Sequence, residues 1–109
     1  MSGMTPLTYQ ILLALADENR HGYGIIKEIE ERAGVVSAPS TGALYLALQR
    51  MSSEGLIQEA PDRPEGGDAR RRYYRLTHLG RQRAEEESVR LVALVAAARD
   101  KNLLAGGAS

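Results

Sequence analysis

The sequence predicts a mainly α protein with a small β-hairpin, an α+β class in one short chain. Three observations predict it. Apolar residues recur at helical spacing through three segments of the first half; two short strand-like runs then flank a connection rich in proline and glycine; a long amphipathic helical run closes the chain. At 109 residues the length suits a single domain, since domains commonly run to about 100–150 residues. Apolar residues make up 43% of the chain, a globular composition. The aromatics are five tyrosines, with no Phe or Trp, so the core is expected to be aliphatic and each tyrosine brings a hydroxyl that needs a partner.

Thr5-Pro6 opens the first helix, with Thr capping free amides and Pro at the first helical position giving up an amide that has no partner there. Leu7, Ile11, Ala14 and Leu15 form its expected buried stripe, and Asp17-Glu18-Asn19 ends it. The second helix is HGYGIIKEIEERAG. Tyr23, Ile26, Ile29 and Ala33 mark one face, Lys27, Glu28, Glu30, Glu31 and Arg32 the wet one, and Gly34 suits a left-handed close. VVSAPSTG is a short turn in which Ser37, with Pro39 in the first turn, or Ser40 caps the third helix. That helix, TGALYLALQRMSSEG, buries Leu44, Leu48 and Met51 with Ala47 and leaves Thr41, Tyr45, Gln49 and Leu46 pointing elsewhere; Gly55 stops it.

LIQEA (56–60) and RRRYYRL (70–76) read as two strands joined by the turn-forming loop PDRPEGGDA. Alternation places Leu76, Tyr74 and Arg72 on one face of the second strand and Tyr73, Arg75 and Arg71 on the other. Thr77 caps the last helix, which runs from about His78 to beyond Asp100 with a stripe of Leu91, Leu94, Val95 and Ala98, and the LLAGGAS tail is expected to fray. The order helix, helix, helix, hairpin, helix is that of a winged helix-turn-helix. In that arrangement the third helix enters the major groove and the hairpin is a wing. Residues 1–76 are read as the DNA-binding domain, 77–104 as a dimerisation helix and 105–109 as a flexible tail.

Charge gives this order a meaning. The chain balances 14 basic against 14 acidic residues, yet RRRYYRLTHLGRQR (70–83) holds six arginines and no acid. A charge run is usually a solvated face, but a wing places this one beside the duplex, where guanidinium forks bind phosphate and release counterions. Arg63, Arg70, Arg71 and Arg72 are the candidate phosphate contacts. Ser40, Thr41, Gly42, Tyr45 and Gln49 are the candidate contacts of the third helix, glutamine being able to bond adenine through two contacts. Tyr23 is placed to donate its hydroxyl to a phosphate. The bland alternatives stand beside these: a ring closing the core edge for Tyr45, a solvated side chain for Gln49, packing against the third helix for Tyr23.

Other chemistries find little footing. There is no cysteine, which excludes thiolate metal sites and thiol catalysis and suits a reducing, cytoplasmic setting. His21 and His78 lack carboxylates at ligand spacing and are read as helix-end caps. No nucleophile, phosphate loop or metal cluster suggests an enzyme, and no cofactor is expected. No apolar run approaches the roughly 20 residues of a membrane span.

HGYGIIKEI, then STGALYLALQRMSSEGLI, then RRRYYRLTHLGRQR, resemble the PadR family of bacterial transcriptional regulators over roughly residues 7–83. The resemblance implies a homodimer that binds a palindromic operator on double-stranded DNA, usually as a repressor. It also implies release by a small, often aromatic or drug-like effector near the dimer interface. Tyr23, Thr41, Gly42, Tyr45, Gln49 and the wing arginines fall where the family contacts DNA. With one helix after the wing the chain resembles the short subfamily, in which the last helix packs against the partner's first and last helices; this assigns Leu7, Ile11, Leu91, Leu94, Val95 and Ala98 to dimerisation. The residues support the dimer independently, because the last helix's stripe extends past a core that has already closed; folding back onto its own first helix is the alternative. Near-neutral charge leaves one other class open, a winged-helix module that binds proteins and not DNA.

Overall fold

The structure is a computed structural model, and it describes residues 4–32, 37–60 and 71–104. Helix α1 (Pro6–Leu15) begins where Thr5 Oγ1 accepts the Thr8 amide at 3.2 Å, with Pro6 at its first position. A two-residue strand β1 (Arg20–His21) precedes α2 (Gly22–Glu30). His21 caps α2, its Nδ1 accepting the Gly24 amide at 2.9 Å. Helix α3 (Thr41–Ser53) starts on Ser40, whose Oγ accepts the Ala43 amide at 3.1 Å. Of the two serines the sequence offered, Ser40 is therefore the cap.

Gly55 ends α3 with φ +80°, the Gly55 amide reaching Ser52 and the Leu56 amide reaching Met51. This left-handed closure sends Leu56 straight into the core. Strands β2 (Ile57–Glu59) and β3 (Tyr73–Leu76) come next, and α4 (His78–Asp100) completes the chain. The strands are thus shorter than the expected runs: Leu56 and Ala60 flank β2, and Arg71 and Arg72 precede β3.

Among the described residues the sheet has three strands, not the two of a bare hairpin, in the order β1-β3-β2. Both pairings are antiparallel, with His21 opposite Tyr73 on one side and Ile57 opposite Leu76 on the other. The extra strand brings a further group against the second face of β3. Tyr73 and Tyr74 point to opposite faces, yet both are buried: Tyr74 joins the core, while the ring of His21 meets Tyr73 edge-on at 5.1 Å.

The core gathers Ile11, Leu12, Ala14 and Leu15 of α1, Ile25 and Ile29 of α2, Leu44, Ala47, Leu48 and Met51 of α3, and Leu56, Ile57 and Tyr74. The stripe expected for α3 is the one observed. That of α2 differs. Gly22, Ile25 and Ile29 are buried, Ile26 is only partly so, and Tyr23 is exposed. Ala33 and Gly34 lie outside the described residues. Arg20 ties the ends of α1 and α2 together. Its Nε donates to the Ala14 carbonyl at 2.7 Å, and its guanidinium meets Glu28 at 3.1 Å, with Asp17 and Glu18 beyond.

Helix α4 belongs to the core only through its first turns, where Leu79 and Ala84 pack on it. Farther along, Tyr9 and Ser88 share a hydrogen bond of 2.6 Å that ties α4 to α1. The helix ends cleanly. Asn102 adopts φ 63°, and the Leu103 amide returns to the Ala98 carbonyl at 2.8 Å. Leu103 and Leu104 follow this closed end as exposed residues, and the rest of the tail expected to fray, 105–109, lies outside the described residues.

Candidate nucleic-acid interface

Helix α3 turns Leu44, Ala47, Leu48 and Met51 inward and so presents Thr41, Gly42, Tyr45, Leu46 and Gln49 to solvent. A Cβ at Gly42 would meet nothing within 4 Å. The glycine is thus not demanded by packing, and it leaves the helix surface low where another molecule can come close. Leu46 is 70% exposed, an apolar side chain on this face that was not among the expected contacts. Arg50 lies on the same helix but is engaged internally, its Nη2 donating to Thr8 Oγ1 at 2.7 Å.

Tyr45 is half-exposed, and its hydroxyl lies over Gly22, where a Cβ would collide with it. The ring thus leans on the start of α2 while keeping an outward edge, which combines both readings the sequence allowed. Burial pushes the Tyr74 phenol above its ordinary value; Arg72 opposes this, and Glu59 and Tyr45 add to it. These groups form the junction between α3 and the wing.

Among the described residues, the arginines of 70–83 part company. Arg71 and Arg72 are exposed at the base of the wing. Arg72 pairs with Glu59 across the hairpin at 3.6 Å, a loose exposed pair that a phosphate can replace at small cost. Arg81 is structural, its Nη2 donating to the Ala16 carbonyl at 2.9 Å where α1 ends. Arg83 faces Glu86 at 3.4 Å. Arg63 and Arg70 lie outside the described residues.

Beside the wing, Tyr23 stands 55% exposed in the first turn of α2. The Arg71 guanidinium carbon lies 5.6 Å from its ring centroid and Lys27 Nζ 5.8 Å. The His21 ring stacks on it at 6.3 Å with 21° between planes. Tyr23 is therefore set in a cluster of basic groups. Neither His21 nor Lys27 stood out for this face in the sequence; the signal available was their spacing from Tyr23, two residues before and four after.

The α4 residues Leu94 and Val95 are exposed at 52% and 45%, while Leu91 and Ala98 are partly covered. Val89 and Val92, which the stripe did not include, are exposed at 71% and 69%. Leu7 packs at the core's edge. Ile11 is corrected: it is wholly buried in its own core and has no surface to offer a second chain.

The Transcriptional regulator PadR-like family matches residues 11–86, from the middle of α1 into α4. The chain belongs to the PadR-like family. The family is one of transcriptional regulators. Among solved structures, a PadR family transcription regulator from Clostridium difficile is 28% identical with a TM-score of 0.73, over 88% of this chain and 97% of that one. PadR of Bacillus subtilis in complex with operator DNA is 25% identical with a TM-score of 0.66, over 78% of this chain and 48% of that one. A 37.1 kDa protein in a Streptomyces fradiae transposon is 38% identical over 78 residues, 72% of this chain and 21% of that protein. The chain spans less than two thirds of the length of the curated relatives it matches. Among the described residues, no helix is long and apolar enough to cross a membrane.

Proposed function

We propose that this PadR-like regulator is a homodimeric repressor that binds a pseudo-palindromic operator and responds to a small ligand. The observation that carries the DNA-binding part is the outward face of α3, where Thr41, Gly42, Tyr45 and Gln49 stand clear of the core beside the wing base with Arg71 and Arg72. Thr41 and Gly42 approach the backbone or base edges at the helix start. Tyr45, Leu46 and Gln49 reach deeper, with Leu46 suited to a thymine methyl and Gln49 to adenine. Arg71, Arg72, Arg63 and Arg70 contribute phosphate contacts. That Bacillus subtilis PadR was solved with operator DNA supports this use of the same fold.

Dimerisation through α4 is supported by its exposed apolar length, since two related copies present their α3 helices roughly 34 Å apart, one turn of duplex. For the ligand, an open groove of about 740 Å³ runs between α1, α3 and α4. Met4, Leu56 and Leu79 offer it an apolar wall, and Arg50, Glu54 and Glu87 a charged one.

The test is titration of the protein into a labelled duplex from upstream of its own gene, beside a scrambled duplex, at two salt concentrations. The expected outcome is salt-sensitive binding to the first with the second weaker by ~10³-fold or more. A folded protein that binds neither duplex at low salt is instead a protein-interaction module.

A further inference from the structure

We propose that Tyr23 serves DNA binding through its ring, as the seat that holds Arg71 and Lys27, and not through a hydroxyl given to phosphate. The inference rests on the DNA-binding reading and assigns Tyr23 a different part in it. Both cations lie within about 6 Å of the ring centroid, the range in which a cation is drawn to an aromatic face, at 5.6 Å for Arg71 and 5.8 Å for Lys27. Arg71 comes from the wing and Lys27 from the second turn of α2, so one ring joins two elements that no long strand pairing connects.

The seat is itself held in place. The His21 ring stacks on Tyr23, its Nδ1 is fixed by the Gly24 amide at 2.9 Å, and Tyr73 meets it edge-on from β3. Arg71 Nη1 lies 3.4 Å from the same Nδ1. Tyr23 is thus a positioning residue. A long cationic side chain loses much of its rotamer freedom when it grips a phosphate, and one already resting on a ring loses less. The attraction engages the charge of the cation and does not itself consume an N–H donor.

The hydroxyl and the ring make opposite predictions. A duplex is first selected from a random pool by the wild-type protein, and its affinity is then measured by fluorescence anisotropy over a series of salt concentrations. Tyr23→Phe keeps the ring and is expected to bind within about twofold of wild type. Tyr23→Leu is expected to weaken binding about fivefold, the scale of one or two exposed cation–ring contacts. In an Arg71→Ala/Lys27→Ala background, adding Tyr23→Leu is expected to cost nothing further, and that background itself has a shallower salt dependence.

Thermal unfolding of each variant separates loss of binding from loss of fold; with Tyr23 exposed, the melting temperature should hardly move. Equal losses for Phe and Leu would return the role to the hydroxyl. Losses that simply add in the triple variant would mean that Tyr23 does not work through the two cations. Failure of the wild-type protein to select any duplex would remove the DNA reading itself, an outcome distinct from both.

Discussion

Gly80 is the residue where local geometry dictates identity most strictly. A Cβ there would run into the backbone carbonyl of Leu56, with Leu76 Cδ1 at 3.0 Å behind it. That carbonyl also accepts the Thr77 amide at 3.1 Å, while Thr77 Oγ1 caps α4 through the Gly80 amide at 3.0 Å. The LTHLG segment is therefore a cap and a close approach built together. Gly80→Ala is expected to cost about 3 kcal/mol, the scale of core overpacking against atoms that cannot give way, and urea denaturation checks it. Glu87 sets a pH dependence. Its carboxylate accepts from Arg90 Nε at 2.9 Å and Nη2 at 2.5 Å, and these bonds hold its pKa below the ordinary 4.5. A native pKa below the unfolded one means that the stabilisation is complete above about 4.5 and fades as pH falls through the lower native value. Glu87→Gln should remove this part of the acid dependence, so its melting temperature declines less between pH 5 and pH 3 than that of wild type. At this scale the sequence is uneven. The His21 cap was legible because a donor-rich helix start lies directly after it. The bond from Arg20 to the Ala14 carbonyl was not, because nothing in spacing says which carbonyl a long side chain will reach.

Among the elements, α3 was legible to the residue and α2 was not, for a physical reason. A 13-residue helix repeats its stripe often enough to fix the phase, whereas nine residues with two glycines and adjacent isoleucines fit two phases. The structure chooses Ile25 over Ile26, and with that choice Tyr23 rotates out to the wing. The choice can be measured. Ile25→Ala is expected to destabilise the fold by about 3 kcal/mol as a cavity forms in a closed core. Ile26→Ala at the core's edge should cost about 1 kcal/mol, in line with the smaller apolar area it withdraws from water. A larger cost for Ile26→Ala than for Ile25→Ala in urea denaturation would put the helix in the other phase. Strand β1 was invisible for a simpler reason, since two residues have no period. Its pairing with β3 sets His21 opposite Tyr73, and the two rings meet there.

For the whole molecule the decisive feature is that α4 outruns the core. Its 23 residues extend roughly 35 Å at 1.5 Å per residue, and only the early turns pack on Leu56 and its neighbours. From Val89 to Ala98 the helix is apolar on more than one side, with Val89, Val92, Leu94 and Val95 all at least 45% exposed. A single stripe can be covered by one neighbour, but a helix apolar all round is normally enclosed. A second copy lying across α1 and α4 would enclose it and bring its own α4 to be covered in return, as two-fold symmetry requires. Leu91→Asp with Leu94→Asp is therefore expected to give a folded monomer, because neither side chain belongs to the core of its own chain. Sedimentation velocity should show the mass halve while the melting profile remains cooperative. Ile11→Asp provides the contrast: that residue is wholly buried, and its replacement should unfold the chain outright and not dissociate it. If the α4 variant stays dimeric, the interface lies elsewhere and the spacing of the two α3 helices must be sought from that other contact. If it becomes monomeric and its affinity for a full operator falls to that for a half-site, the length of α4 beyond the core exists to set the distance between two reading heads.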